Sequence, residues 1–370
     1  MTAHEQPTHT ITDLDLIGSI GPKPPKSLGV GIVGAGTIVR YGHLPAYRAH
    51  GLRVLGITDI DLERAKALAR DFELLHVYPN LDALLSDTEV ELVDIAVPAA
   101  FQPAIASKAL EAGRHVLCQK PFAEKYSEAC RVTDLAQAKG LKIAVNQQMR
   151  WTPAMRAVKE LLRRGWLGET QRAEFEINLW EDLKGWVLDV SPFDLLYYSI
   201  HFYDVSRFLF GEPEWVYSIA GKWPGQRMRG ETRTNTILEY ASGLQLLHRT
   251  SHNNHAGDQY ATFRVEGTNA VAKGTFGIHY GYPQGRPDTL NFTTTRYLRS
   301  YWLEARFKEK WMPDAFAGPM LSLMEAITTG SEPATPGRDN LKTLHLAFAI
   351  RRSQRTHQPI RVAHFEPDED

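Results

Sequence analysis

Apolar runs of strand length alternate with amphipathic stretches through the first part of the chain. LGVGIVG at 28–34, LRVLGITD at 52–59, VELVDIAVP at 90–98, RHVLCQKP at 114–121 and LKIAVNQ at 141–147 are nearly continuous in apolar character. Strands buried on both faces read this way, whereas half-exposed strands alternate. Helical patterns at Leu62 to Phe72 and Pro103 to Ala112 separate them, so a doubly wound parallel sheet is expected over 27–148.

Beyond Trp151 the texture changes. A helix is expected at about 153–164, ending at Arg-Arg-Gly, and period-2 segments follow at 171–180, 214–223, 235–250 and 260–276. The third should be a hairpin turning at Ser242-Gly243, and the fourth one turning at Gly267-Thr268-Asn269. Helices are expected from Asp194 to Leu209, stopped by Gly211, and from Leu341 to Ser353 behind Pro336-Gly337. Residues 149–370 thus read as an α+β domain with a mostly antiparallel sheet. The first 26 residues, with Gly-Pro-Lys-Pro-Pro at 21–25, read as an extended N-terminal arm.

Charge and composition narrow the function. Forty-two basic against 43 acidic residues leave no cationic excess for nucleic acid or anionic lipid. No membrane-length apolar run and no basic-then-apolar leader occur in this sequence, so a cytoplasmic protein is expected. Two cysteines, Cys118 and Cys130, are too few for a disulfide framework and lack metal-site spacing.

Gly34-Ala35-Gly36 follows the first apolar strand and opens a helix. In that context the first glycine allows a tight turn, and the second admits close approach of a pyrophosphate to a helix N-terminus. Val39 stands where the fingerprint has its third small residue. Asp59 closes the second strand, 23 residues beyond Gly36, where a carboxylate accepts hydrogen bonds from ribose hydroxyls and repels a 2′-phosphate. NAD is therefore expected over NADP, with Arg64 the one feature on the other side.

ALEAGRHVLCQKPFAE at 109–124, NQQMRWTPAMRAVKELLRRGWLGE at 146–169, SIHFYDVSRFLFG at 199–211, WMPDAF and PGRDNLKTLHLA resemble the Gfo/Idh/MocA oxidoreductases. The resemblance spans nearly everything after the arm. It implies an NAD-dependent dehydrogenase acting on a sugar, cyclitol or related polyhydroxy compound, assembled as a homodimer or homotetramer through the large open sheet of a substrate-binding second domain. It further implies that Lys120 and His201 meet near the nicotinamide. An imidazole suits removal of the hydroxyl proton, and an ammonium favours the developing alkoxide. The Lys120-Pro121 bond is expected to be cis.

Cofactor contacts are expected from Gly34, Gly36, Thr37, Ile38, Asp59, Pro98, Gln119 and Lys120, and substrate contacts from Gln148, Arg150, Trp151, Asp194 and His201. Asn146, Trp180, Trp186, Trp311 and Asp314 are further candidates for the substrate pocket. Two positions depart from the family pattern. Gln119 stands where a glutamate usually precedes the lysine, and Tyr197 stands where an aspartate often lies four residues before the histidine; Asp194 is expected to compensate, and Tyr197 joins the catalytic candidates. The bland reading of His201 is a core histidine satisfied by Asp204. His252-Asn253-Asn254-His255 reads as a structural or substrate-contacting turn, and no metal is expected. Two rival readings are a redox-neutral, NAD-retaining sugar enzyme and a non-catalytic cofactor-sensing regulator.

Overall fold

The computed structural model describes residues 8–10, 20–21, 27–180, 183–252, 257–295 and 301–367. These gather into two units, one formed by 19–148 with 312–344, the other by 1–18, 149–311 and 345–368. Strand β1 (Thr8–Thr10) belongs to the second unit.

The first unit holds a six-stranded parallel sheet of β2 (Val30–Val33), β3 (Val54–Thr58), β4 (His76–Val77), β5 (Leu92–Ile95), β6 (His115–Gln119) and β7 (Ile143–Asn146). Its order is β4-β3-β2-β5-β6-β7, so the winding reverses between β2 and β5. β2, β5 and β7 are buried at every residue, in keeping with their continuous apolar sequence. Intervening helices are α1 (Leu44–Ala49), α2 (Leu62–Phe72), α3 (Leu81–Ser86), α4 (Gln102–Glu111) and α5 (Tyr126–Ala138). Asp61 caps α2 through the Arg64 N–H, and Asn80 caps α3 through the Ala83 N–H. The sixth strand, β4, escapes the sequence pattern because two residues show no period.

The domain boundary needs a correction. Residues 149–370 read as one domain, but 312–344 pack with the parallel sheet. After helix α6 (Pro153–Arg163) and helix α7 (Ile200–Phe210) in the second unit, α8 (Ala317–Thr329) returns to lie against β6 and β7. α8 is apolar on nearly all sides and buries Met320, Leu321, Leu323 and Met324, so it needs cover all round. The Val145 N–H donates to the Thr335 carbonyl at 2.9 Å, tying this segment to β7.

The second unit carries β8 (Thr170–Asn178), β9 (Trp215–Gly221), β10 (Arg233–Glu239), β11 (Gln245–Ser251), β12 (Tyr260–Gly267), β13 (Ala270–Thr275), β14 (Thr289–Thr294), β15 (Trp302–Arg306) and β16 (Ile360–Arg361). With β1 they form a ten-stranded sheet among the described residues, ordered β1-β15-β14-β13-β12-β8-β11-β10-β9-β16. All neighbours are antiparallel except β8 with β11 and β1 with β15. Thr8–Thr10 therefore adds an edge strand, where the sequence suggested only an arm; the rest of the arm, apart from Ile20 and Gly21, lies outside the described residues.

Burial alternates along β10, β11 and β12, as period-2 sequence requires. The covered face includes Phe175, Ile177, Leu238, Leu246, Phe263 and Val265. The other face exposes Trp215, Tyr217, Ile219, Ile237 and Leu247, with Tyr217, Ile237 and Leu247 side by side in register. Both expected hairpin turns form, Gly243 taking φ of 85°. The helical run expected from Asp194 begins as a π-helical segment, Asp194–Ser199, and continues as α7 to Phe210, while α9 spans Gly337–Thr356, longer than expected at both ends. Among the described residues no helix is long and apolar enough to cross a membrane.

Candidate active site

In an open α/β sheet, ligands bind beyond the carboxyl ends of the strands, where the winding reverses. Gly34 to Ile38 follow β2, Asp59 follows β3, Pro98 lies beyond β5, and Gln119 and Lys120 end and follow β6. The expected cofactor residues thus share the carboxyl edge of one sheet. Gly34 has φ of 111°, and a Cβ there would overlap the Ala96 carbonyl oxygen, so this position requires glycine. A Cβ on Gly36 would meet nothing within 4 Å, which leaves room for a pyrophosphate to approach the backbone. Thr37 is exposed, Ile38 and Pro98 are half-buried, and Val39 is buried and opens a π-helical segment, Val39–His43.

Asp59 is half-buried, and each of its oxygens already accepts one backbone N–H: Ala35 at 2.6 Å and Asp61 at 2.8 Å. A carboxylate offers about four lone-pair sites, so ribose hydroxyls can still be accepted. These residues fit a dinucleotide with an unsubstituted 2′-hydroxyl. Arg64 is turned to Asp61, 3.4 Å away, and stands among exposed side chains.

The Lys120-Pro121 bond is cis, as the resemblance implied. Burial lowers the Lys120 ammonium to about 8. The Lys120 N–H donates to Gln119 Oε1 at 2.7 Å. Behind Gln119 lie His43, Tyr47 and Asp94, a buried polar cluster that sequence reasoning missed. A signal existed: His43 and Tyr47 are four residues apart on one helical face, and Asp94 is a single charge inside an apolar strand.

In the second unit His201 sits on the first turn of α7, buried, with its ring edge-on to Trp311 at 5.5 Å. Trp311 also meets His279 at 5.9 Å, and the Tyr198 hydroxyl lies 3.1 Å from His279 Nε2. His201, Trp311, His279 and Tyr198 therefore form one aromatic and imidazole wall, of which the sequence analysis found only His201 and Trp311. Tyr197, beside it, is half-buried with its ring 5.6 Å from exposed Trp186. Trp180 is also exposed, Trp151 and Asp314 are half-buried, and Asn146 and Gln148 are buried.

Two expected substrate contacts are committed elsewhere. The Arg150 fork closes on Asp204, Nε to Oδ2 at 2.6 Å and Nη2 to Oδ1 at 2.7 Å, with both groups buried. That bidentate pair holds Arg150 against α7 within the second unit and occupies the guanidinium edge a substrate would need. Asp194 is fully buried: Oδ1 lies 2.7 Å from His252 Nε2, and Oδ2 accepts from Ser199 at 2.9 Å. Burial alone would raise its carboxyl, but the hydrogen bond and charge of His252, with His248 and Thr234, hold it below the usual range. Asp194 anchors the π-helical segment, together with Glu231, which accepts the Phe193 and Leu195 N–H groups. His252 is structural, and Asn253 to His255 lie outside the described residues. Among the described residues no group of three or more His, Cys, Asp or Glu is placed to hold a metal.

Comparison with known proteins agrees with this division. Residues 28–147 match a family described as an oxidoreductase family with an NAD-binding Rossmann fold, and 155–273 match the GFO/IDH/MocA C-terminal domain. D-apiose dehydrogenase of Paraburkholderia graminis is 26% identical over 349 residues, covering 91% of this chain and 90% of the relative. An oxidoreductase from Agrobacterium radiobacter, solved with NAD+, L-tartaric acid and magnesium, superposes with a TM-score of 0.80 at 20% identity over 91% of this chain and 99% of that one. Levoglucosan dehydrogenase, solved with NADH and L-sorbose, gives 0.79 at 20% identity over 90% and 98%.

Proposed function

The chain belongs to the Gfo/Idh/MocA oxidoreductases, and on that footing we propose that it is an NAD-dependent dehydrogenase oxidising a secondary alcohol of a sugar, cyclitol or related polyhydroxy compound. The observation that carries this reading is the Gly34–Gly36 turn at the sheet's reversal point with Asp59 turned to it. Asp59 would hold the adenine ribose, and its charge disfavours a 2′-phosphate. Thr37, Ile38, Pro98 and Gln119 complete the cofactor contacts. Bound NAD supplies the hydride acceptor.

His201 takes the hydroxyl proton, a role for which an imidazole is suited near neutral pH. Lys120 favours the alkoxide as it forms, a contribution of about 3 to 4 kcal/mol for a donor of this type. Trp311 offers a flat face to substrate C–H groups, and Tyr197, Gln148 and Trp151 are the polar and aromatic contacts that remain after Arg150 and Asp194 are assigned to packing. The names of the relatives, apiose and levoglucosan dehydrogenases, support the sugar class. Self-association through the open face of the ten-stranded sheet belongs to the same reading, supported by its exposed apolar row. We place the activity in the cytoplasm, consistent with free thiols at Cys118 and Cys130.

A screen of sugars, sugar acids and inositols with NAD+, following absorbance of the reduced cofactor, tests the proposal. At least one should be oxidised, faster with NAD+ than NADP+, and His201→Ala should lose that turnover while still binding NAD+. Silence with every compound and both cofactors would sink the reading.

A further inference from the structure

The cluster behind Gln119 has no role in the chemistry assigned so far. His43 ends a π-helical segment, Tyr47 lies on α1, Asp94 within β5, Gln119 ends β6 and Asn146 ends β7. All five are buried, three of them on neighbouring strands of one sheet. Polar groups so placed hold their partners or destabilise the fold, so the directions of their hydrogen bonds carry information.

Those directions follow from one fixed donor. The Lys120 backbone N–H can only donate, so the Gln119 oxygen, 2.7 Å away, accepts, and the amide nitrogen is the end that faces His43. That nitrogen lies 3.0 Å from His43 Nε2, and Asn146 Nδ2 lies 3.3 Å from the same ring atom. Amide nitrogens only donate, so His43 Nε2 accepts and carries no proton. The ring proton is then on Nδ1, 2.6 Å from Asp94 Oδ2, and the Tyr47 hydroxyl donates to the same oxygen at 2.8 Å. Burial, then the charge and hydrogen bond of Asp94, push the Tyr47 phenol well above its ordinary value, which keeps it a donor.

We propose that Gln119 and His43 are positioning residues for Lys120: Asp94 and Tyr47 fix the tautomer of His43, His43 fixes the orientation of the Gln119 amide, and the amide fixes the backbone from which Lys120 projects. The inference rests on the assignment of Lys120 to the nicotinamide site. It also gives a physical meaning to glutamine rather than glutamate at position 119. A carboxylate there would present an oxygen to His43 Nε2, acceptor against acceptor, unless the ring took a second proton. With glutamine no such proton is needed, and Lys120 has no carboxylate on the residue before it.

The test uses the full chain labelled with 15N at histidine, the His43 signals being identified by their loss in His43→Asn. The wild type should show the neutral ring protonated at Nδ1, and the isosteric Gln119→Glu should show both ring nitrogens protonated. In parallel, modification of Lys120 by trinitrobenzenesulfonate is followed against pH by mass spectrometry. Its midpoint should lie near 8 in the wild type. It should rise in Gln119→Ala, where release of the backbone lets the ammonium reach solvent, and move less in Gln119→Glu, where the second proton on His43 balances the new carboxylate. A wild-type ring protonated at Nε2, or the same Lys120 midpoint in all three chains, overturns the proposal. NAD+ affinity is measured separately by calorimetry. If wild type fails to bind NAD+ while the ring and lysine behave as expected, the proposed function fails and the positioning role stands.

Discussion

At Lys120 burial works against the charge of the side chain. An exposed lysine titrates near about 10.4, whereas burial brings Lys120 to about 8, so the folded chain disfavours the ammonium. Between about pH 8 and 10.4 the unfolded chain binds more protons at this site, and this group's contribution to stability rises with pH through that window. Lys120→Met should therefore raise the melting temperature at pH 7, with the gain shrinking toward zero at pH 10.5, while cutting hydride transfer by about 100- to 1,000-fold. Melting curves at the two pH values and the absorbance assay check both halves. At Arg150 the bidentate pair itself carries stability: Arg150→Ala removes both of its hydrogen bonds from the buried Asp204 carboxylate. Denaturant unfolding should show a loss of about 3 to 5 kcal/mol. The strand and motif around Lys120 are contiguous and so were legible in the sequence; the Arg150–Asp204 pair was not, because 54 residues separate its members.

Elements were legible where pattern and burial share a period. β2, β5 and β7 are fully buried, and their apolar runs announced them; α2 was bounded to the residue by its polar start and amphipathic face. α8 was not found, because a helix apolar on all sides has no stripe to read. The turn after β2 was legible for a stronger reason, since only glycine tolerates φ of 111° against the Ala96 carbonyl. Gly34→Ala should cost about 1 to 3 kcal/mol and abolish NAD+ binding, whereas Gly36→Ala, with open space around the new methyl, should leave stability unchanged and weaken only the cofactor. Thermal melts paired with calorimetric titration separate the two outcomes.

At the scale of the whole molecule, the ten-stranded sheet has an apolar half and a charged half on its open face. Tyr217, Ile237 and Leu247 adjoin one another, while Arg249, on the same strand as Leu247, pairs with Glu176 of β8, and Arg172 with Glu174 and Arg264 with Glu266 pair on β8 and β12. Tyr217→Glu combined with Ile237→Lys should reduce the mass found by light scattering to that of one chain, with little change in melting temperature if the fold itself is untouched. The halves of the chain were readable in outline, but residues 312–344 crossed the expected border, since the packing of α8 depends on strands nearly two hundred residues earlier. That excursion governs how the protein can be dissected. A fragment ending at Gln148 would strip α8 from β6 and β7, orphan the Val145 amide and bare the side of His43 against which the Phe316 ring packs at a tilt. A spliced gene joining Gln148 to Met312 through a designed linker would instead keep those contacts within the nucleotide-binding half.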